Sequence, residues 1–273
     1  MLIDAETKLY GIIGHPVRHS LSPIIQNLAF SFHNINAVYL AFDVTALSAA
    51  IEGIKSLGIK GLSVTIPHKI NIMSFLDEID IMAQKIGAIN TLLNKDGYLL
   101  GFNTDWLGAL LSLKEKTEIK GKRFIILGAG GAARAIAFGL KKEGAEVIIV
   151  NRTYEKGASL AKDVNAVAFP WEKLAALKGD GLINATPLGM WPEIDISPVD
   201  EKVLEKFELV MDTVYRPLKT KLLKMAENLG CNTIGGLKML IYQGAEQFRL
   251  WTKKQPPVEK MLEVAEKFLE KEN

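Results

Sequence analysis

A six-residue glycine-rich run sets narrow limits on the fold. Gly128-Ala129-Gly130-Gly131-Ala132-Ala133 follows the five-residue strand candidate Arg123-Phe124-Ile125-Ile126-Leu127 and opens a helical stretch, Gly131 to Glu143. The pattern is G-x-G-x-x-A. The first glycine permits a tight turn, the second lets the backbone approach a pyrophosphate, and the small third residue lets helix pack on strand. Unpaired N–H groups at the helix start then offer an anion site. Further strand candidates follow at Glu146 to Val150, Gly181 to Asn184, Leu209 to Thr213 and Thr233-Ile234. A series of this kind predicts a doubly wound, Rossmann-like sheet that binds a dinucleotide.

The end of the second of these strands bears on which dinucleotide. Sites that prefer NAD place an acid about twenty residues after the glycine turn, on the ribose 2′-hydroxyl. Here the chain reads Asn151-Arg152-Thr153-Tyr154-Glu155-Lys156, with no acid at the strand end. A guanidinium fork at Arg152 and a second cation at Lys156 suit a 2′-phosphate, which points to NADP. The alternative is a solvated Arg152 beside Thr153 acting as an ordinary helix N-cap.

The first hundred residues read differently. Leu9 to Ile13, Val38 to Val44 and Gly61 to Ile66 are strand candidates, separated by helical stretches at Ile24 to Phe32 and Leu47 to Leu57. Strands alternating with helices imply parallel pairing. Thr91 to Asn103 breaks that rhythm, because Lys95-Asp96-Gly97 between two short runs signals a hairpin. The expected fold class is therefore α/β in two domains with a cleft between them: a mostly parallel N-terminal domain and a doubly wound one. The boundaries are placed at 1–104 and 105–237. Two helical stretches at 238–273 close the chain, the second starting after Pro256-Pro257.

Composition narrows the partners. Thirty-three Lys and Arg against thirty-one Asp and Glu leave no large net field, so neither nucleic acid nor an anionic membrane is an expected partner. A single cysteine, Cys231, allows no internal disulfide and reads as a small core filler. No basic-then-apolar signal pattern occurs at Met1-Leu2-Ile3-Asp4-Ala5-Glu6, no apolar run is long enough to span a bilayer, and four histidines show no ligand spacing. A cytoplasmic protein without a metal site is expected, and the Met1 start leans against excision from a longer polypeptide.

Several polar groups fall at predicted strand ends, where open α/β sheets bind ligands. Ser20 and Ser22, in a turn before a helix, suit a small carboxylate or else cap the helix. Lys69, in Thr65-Ile66-Pro67-His68-Lys69, is a general acid/base if a partner fixes it, or a surface lysine on a new helix. His68 beside it reads as structural. Asn90 and Asp105 flank the predicted hairpin, Asn90 able to bond substrate hydroxyls and Asp105 able to pair with Lys69. The same Asn103-Thr104-Asp105 run also reads as helix N-capping.

Taken together and in order, these stretches resemble the shikimate dehydrogenase family, which includes quinate/shikimate enzymes. The matching runs are His19 to Pro23, Val64 to Lys69, Gly87 to Thr91, Gly101 to Asp105, Gly128 to Ala132, Asn151 to Thr153, Asn184 to Met190 and Met239 to Gln243. They span nearly the whole chain. The resemblance implies NADP-dependent, reversible reduction of 3-dehydroshikimate to shikimate, a step of aromatic amino acid and chorismate biosynthesis, by a monomer or homodimer. It makes Lys69 and Asp105 the catalytic pair. Ser20, Ser22 and Tyr215 would grip the carboxylate, and Thr65, Asn90 and Gln243 would hold ring hydroxyls together with Lys69 and Asp105. Gly128, Ala129, Gly130, Gly131 and Ala132 would cradle the pyrophosphate, and Asn151, Arg152, Thr153 and Lys156 would address the 2′-phosphate. Val214 and Gly236 would bring backbone near the nicotinamide. The C-terminal helices would return to the first domain. Tyr215 also reads as a packing aromatic, and Tyr242 most simply as core. Three rivals stand beside this reading: a quinate/shikimate enzyme of relaxed specificity, a folate-dependent dehydrogenase/cyclohydrolase, and a non-catalytic NADP sensor. The paired serines disfavour the second, and the presence of Lys69 and Asp105 the third.

Overall fold

The chain opens on β1 (Lys8–Gly14), followed by α1 (Ser22–Phe32), β2 (Ala37–Asp43), α2 (Leu47–Ser56) and β3 (Gly61–Val64) in a computed structural model that describes residues 3–272. Met1, Leu2 and Asn273, which end the expected domain ranges and begin the run read for a signal pattern, lie outside the described residues. By internal packing the chain divides into two compact units, Met1–Thr104 with Gln243–Asn273, and Asp105–Tyr242.

In the first unit, β4 (Glu78–Ile79), α3 (Ile81–Ile86), β5 (Thr91–Lys95) and β6 (Tyr98–Phe102) complete a six-stranded sheet of order β2-β1-β3-β5-β6-β4. Strand β1 pairs parallel with β2 and β3, while β5 runs antiparallel to β3 and β6. The β5–β6 turn is the predicted Asp96-Gly97 pair, at φ 52° and 95°. Two left-handed residues match the twist of the flanking strands. Ile13, Ile51, Ile54, Leu62, Val64 and Leu92 form the core on one side. On the other, Tyr10 lies 4.9 Å from Phe30 and 5.5 Å from Trp251 between ring centroids. The Trp251 indole N–H donates to the Leu92 carbonyl at 2.8 Å, satisfying the one polar atom of a buried aromatic.

The second unit opens with α4 (Asp105–Lys114), then runs through β7 (Arg123–Leu127), α5 (Gly131–Lys142), β8 (Glu146–Asn151), α6 (Tyr154–Asp163), β9 (Val167–Pro170), a 3-10 turn at Trp171–Ala176, β10 (Gly181–Asn184), α7 (Glu201–Leu204), β11 (Leu209–Asp212), α8 (Lys221–Asn228) and β12 (Asn232–Ile234). Its sheet is parallel throughout, in the order β12-β11-β10-β7-β8-β9. Counted from β7, that is the 3-2-1-4-5-6 arrangement of dinucleotide-binding domains, with its switch point between β7 and β10. Phe124, Ile126, Val147, Ile149 and Ile183 are buried on one face, and Ile125, Leu127, Val150, Leu182 and Val210 on the other. Burial on both faces explains the unbroken apolar runs.

Helices α9 (Gly236–Thr252) and α10 (Val258–Glu272) close the chain. The unit boundary falls inside α9, at 242/243, not at its start. Met239 is buried in the second unit's core, whereas Phe248 and Trp251 pack in the first. Tyr242 is half-buried and donates its hydroxyl to Glu115, which also pairs with Lys238, so it is no core residue. Cys231 packs half-buried beside the second core, its thiol directed at the Phe207 carbonyl at 3.2 Å.

Candidate active site

The predicted residues of the first unit gather where β1 and β3 end. Parallel pairing brings Ile13 opposite Val64, so the segments leaving both strands start side by side. The His15 N–H donates to the Ile66 carbonyl at 2.9 Å and the Thr65 N–H to the Ile13 carbonyl at 2.9 Å, fastening one to the other. Ser20 and Ser22 lie on the first segment. The Ser20 hydroxyl accepts the Ser22 N–H at 3.2 Å, whereas Leu21 holds the N-cap position of α1 without a side-chain bond. Ser20 thus takes part of a capping role and Ser22 takes none.

Thr65 and Lys69, both half-buried, lie on the second segment, which runs into a short 3-10 turn from Asn71 and not into a new α-helix. His68 is buried, with Nε2 2.8 Å from the Val44 carbonyl, a structural contact. The Lys69 carbonyl accepts the Ile89 N–H at 2.7 Å, which ties this turn to the neighbour of Asn90.

Asn90 is 1% exposed and central to a polar cluster. Its Nδ2 donates to Thr104 Oγ1 at 2.9 Å and to Gln243 Oε1 at 3.1 Å, and its Oδ1 accepts the Thr104 N–H at 2.8 Å. The Thr104 hydroxyl donates to the Gln243 carbonyl at 3.0 Å, and Asn103 Nδ2 to the Ala88 carbonyl at 2.9 Å. Two members of the run read as an N-cap are therefore engaged within the first unit. Asp105, buried, is the first residue of α4 and belongs to the second unit.

In the second unit the predicted residues again stand at C-terminal strand ends. Gly128, at φ +113°, would place a Cβ 2.9 Å from the Ala185 carbonyl oxygen, so a side chain is excluded on both conformational and steric grounds. Nothing stands within 4 Å of where Gly130 would carry a Cβ, and Gly131 begins α5, preceded by a cap position with no side-chain bond. Ala129, Gly131 and Ala132 are partly exposed along this turn. An open backbone at a helix N-terminus is what a pyrophosphate needs.

Asn151 ends β8, and its Nδ2 donates to the Thr153 carbonyl at 2.8 Å. Arg152, Thr153 and Lys156 are exposed. Thr153 holds the N-cap position of α6, yet its hydroxyl makes no capping bond. The adenosine end of NADP fits this set: two cations and an unengaged hydroxyl.

Beyond β11, Val214 is buried and Tyr215 half-buried. Gly236 packs so close that a Cβ there would meet the Thr213 carbonyl oxygen at 2.2 Å and the Val214 oxygen at 2.7 Å. Asp212, fully buried, fixes this turn. Its Oδ1 accepts the Val214 N–H and the Asn184 side-chain amide, both at 3.0 Å, and its Oδ2 accepts the Thr220 hydroxyl at 2.7 Å. Desolvation pushes its pKa up to about 6 against these three bonds. Sequence reading passed over Asp212, although an acid closing an apolar strand was its signal. A groove of about 550 Å³ also opens near Arg123, Glu146, Asp180 and Phe207, at the opposite end of the same sheet.

A parallel 3-2-1-4-5-6 sheet with an open glycine turn, and a second sheet with hydroxyls and amides at its strand ends, define the class of dinucleotide-linked oxidoreductases. The chain belongs to the shikimate dehydrogenase family. Residues 12–92 match the shikimate dehydrogenase substrate binding domain, residues 111–186 the shikimate/quinate 5-dehydrogenase model, and residues 236–266 the shikimate 5′-dehydrogenase C-terminal domain. A shikimate dehydrogenase (NADP(+)) of Methanocaldococcus jannaschii is 49% identical over 95% of this chain and 96% of its own. A crystal structure of a shikimate dehydrogenase in complex with NADP+ superposes with a TM-score of 0.90 at 47% identity, covering 98% of each chain. A quinate dehydrogenase of Corynebacterium glutamicum in complex with NAD superposes at 0.86 and 29% identity, over 94% of this chain and 98% of that one.

Proposed function

We propose that the chain catalyses the reversible, NADP-dependent reduction of 3-dehydroshikimate to shikimate. One observation carries the reading: at the C-terminal ends of two sheets stand a cluster of buried amides and hydroxyls and an open glycine turn. In this reading the first unit binds the substrate and the second the cofactor. Ser20, Ser22 and Tyr215 hold the substrate carboxylate, while Thr65, Asn90 and Gln243 bond ring oxygens. Gly128 to Ala132 receive the pyrophosphate; Asn151, Arg152, Thr153 and Lys156 take the 2′-phosphate; Val214 and Gly236 shape the nicotinamide end.

When bound, the reduced cofactor supplies the hydride that reaches the C3 carbonyl. Lys69 donates the proton to the developing alkoxide through its Nζ, and Asp105 orients that ammonium and accepts from the neighbouring hydroxyl. Most of the rate gain comes from orientation, with general acid–base help of about a hundred- to ten-thousand-fold. Cytoplasmic residence belongs to the same proposal and is supported by the single cysteine, and assembly as a monomer or homodimer is proposed with it from the family resemblance.

The test is an absorbance assay of NADPH formation with shikimate and quinate against NADP⁺ and NAD⁺. Turnover confined to shikimate with NADP⁺ is expected. Comparable turnover with quinate or NAD⁺ moves the protein to the relaxed-specificity branch, and silence in every combination overturns the reading.

A further inference from the structure

The hydrogen bonds around Asn90 have directions that the backbone dictates. A backbone N–H only donates, so the Thr104 N–H at 2.8 Å fixes the oxygen end of the Asn90 amide. A backbone carbonyl only accepts, so the contact of Gln247 with the Asn90 carbonyl at 2.9 Å fixes the nitrogen end of the Gln247 amide. That same Nε2 donates its other hydrogen to Thr91 Oγ1 at 3.0 Å. Thr91 therefore turns its one hydrogen to Asn90 Oδ1, at 2.7 Å. Behind Gln247, Oε1 accepts from the Ser63 hydroxyl at 2.7 Å, which accepts in turn from Tyr39 at 2.5 Å. Tyr39, Ser63, Asn90, Thr91 and Gln247 are all buried, so none of these directions is set by solvent.

Thr91 and the Thr104 N–H together fill the two lone pairs of Asn90 Oδ1. The N–H₂ end, whose contacts include Thr104 Oγ1 and Gln243 Oε1, is then the end that addresses a ligand. We propose that Gln247, acting through Thr91, is a positioning residue that holds Asn90 as a pure hydrogen-bond donor. The group recognised there is then a substrate ring oxygen in the accepting role. The inference rests on the shikimate reading above and deepens it. Gln247 lies one helical turn after Gln243 on α9, so a single helix supplies both a proposed ligand contact and the group that orients its neighbour.

Thr91→Val keeps the shape of the side chain and removes the hydroxyl. It is expected to raise the shikimate KM about tenfold, the equivalent of one hydrogen bond, while the NADP⁺ KM stays within about twofold. Thr91→Ser restores the hydroxyl and is expected to restore the KM. Gln247→Met should match Thr91→Val, and the double variant should be no worse than either, because one chain of bonds is broken at two points. The proposal is overturned by an unchanged shikimate KM in Thr91→Val, by effects that multiply in the double variant, or by a fall in kcat with both KM values unmoved, the signature of lost folded fraction. If Gln247→Met does not fold, the Val and Ser variants at Thr91 decide alone. An inactive wild type overturns the functional reading and this proposal together, whereas an active wild type with a silent Thr91→Val overturns only the proposal.

Discussion

The two units place a buried polar hub at the same point, the C-terminal end of a sheet, but build it from opposite chemistry. In the first, the hub is a neutral amide, Asn90, ringed by hydroxyls and other amides. In the second it is a carboxylate, Asp212, held by one N–H, one hydroxyl and one amide. The difference follows from what each hub does in the proposed reading. Asn90 meets the ligand itself, so its polarity must be fixed and independent of pH. Asp212 stands behind the turn and pins the backbone of Val214, a task a carboxylate performs well because each oxygen accepts strongly. The first hub presents its own side chain, whereas the second holds a turn of backbone in place.

That division predicts which losses stay separate. Lys69→Ala removes side-chain chemistry from the first unit and should lower kcat about a hundred- to ten-thousand-fold, with NADPH affinity retained. Steady-state rates and fluorescence titration of NADPH measure the two quantities. Equal losses in both would erase the contrast between the units.

The hubs also differ in their response to acid. The ordinary aspartate pKa is 3.8, and burial pushes Asp212 up to about 6. Between these values the folded state keeps a proton that the unfolded chain releases. The contribution to stability is therefore fully present below pH 3.8 and is lost as pH rises to about 6. Taken over that interval it amounts to about 3 kcal/mol. Asp212→Asn has no such titration, so wild type should lose stability relative to the variant between pH 4 and 6 in urea unfolding. Parallel curves would show that the carboxylate is less desolvated than its burial implies.

Much of the fold and of the ligand-facing residues was legible in the sequence, whereas the Asp212 hub and some short strands were hidden for identifiable reasons. The glycine turn, the Asp96-Gly97 hairpin and the parallel strands announced themselves through local backbone demands. Strand β9 did not, because Val167-Ala168-Phe169-Pro170 is a four-residue edge strand that ends in proline. Strand β4 has two residues and exists only through its pairing with β6. Thr91 and Gln247 passed as strand and helix residues, since their roles depend on contacts across 156 positions of sequence. The i, i+4 pair Gln243 and Gln247 on one helix face was the available signal.

The cofactor end offers a smaller effect that still discriminates. Arg152→Ala should weaken NADP⁺ about tenfold or more, as expected for a charge-assisted bond, and leave NAD⁺ nearly untouched. Equal weakening of the two would remove the 2′-phosphate role from Arg152.

The smallest expected change separates a cap from a ligand contact. Asp80 caps α3 by accepting the Met82 N–H at 2.9 Å, and Asp80→Ala should cost about 1 kcal/mol of stability. Thr153 occupies the same position on α6 but makes no such bond, so Thr153→Ala should cost well under about 0.5 kcal/mol. If its hydroxyl serves the 2′-phosphate instead, the same variant lowers NADP⁺ affinity by about threefold to tenfold. Chemical denaturation and NADP⁺ titration of the two variants read both effects. A stability loss at Thr153 equal to that at Asp80, with affinity unchanged, would make the residue a helix cap and shrink the second unit's phosphate site to its cations and backbone.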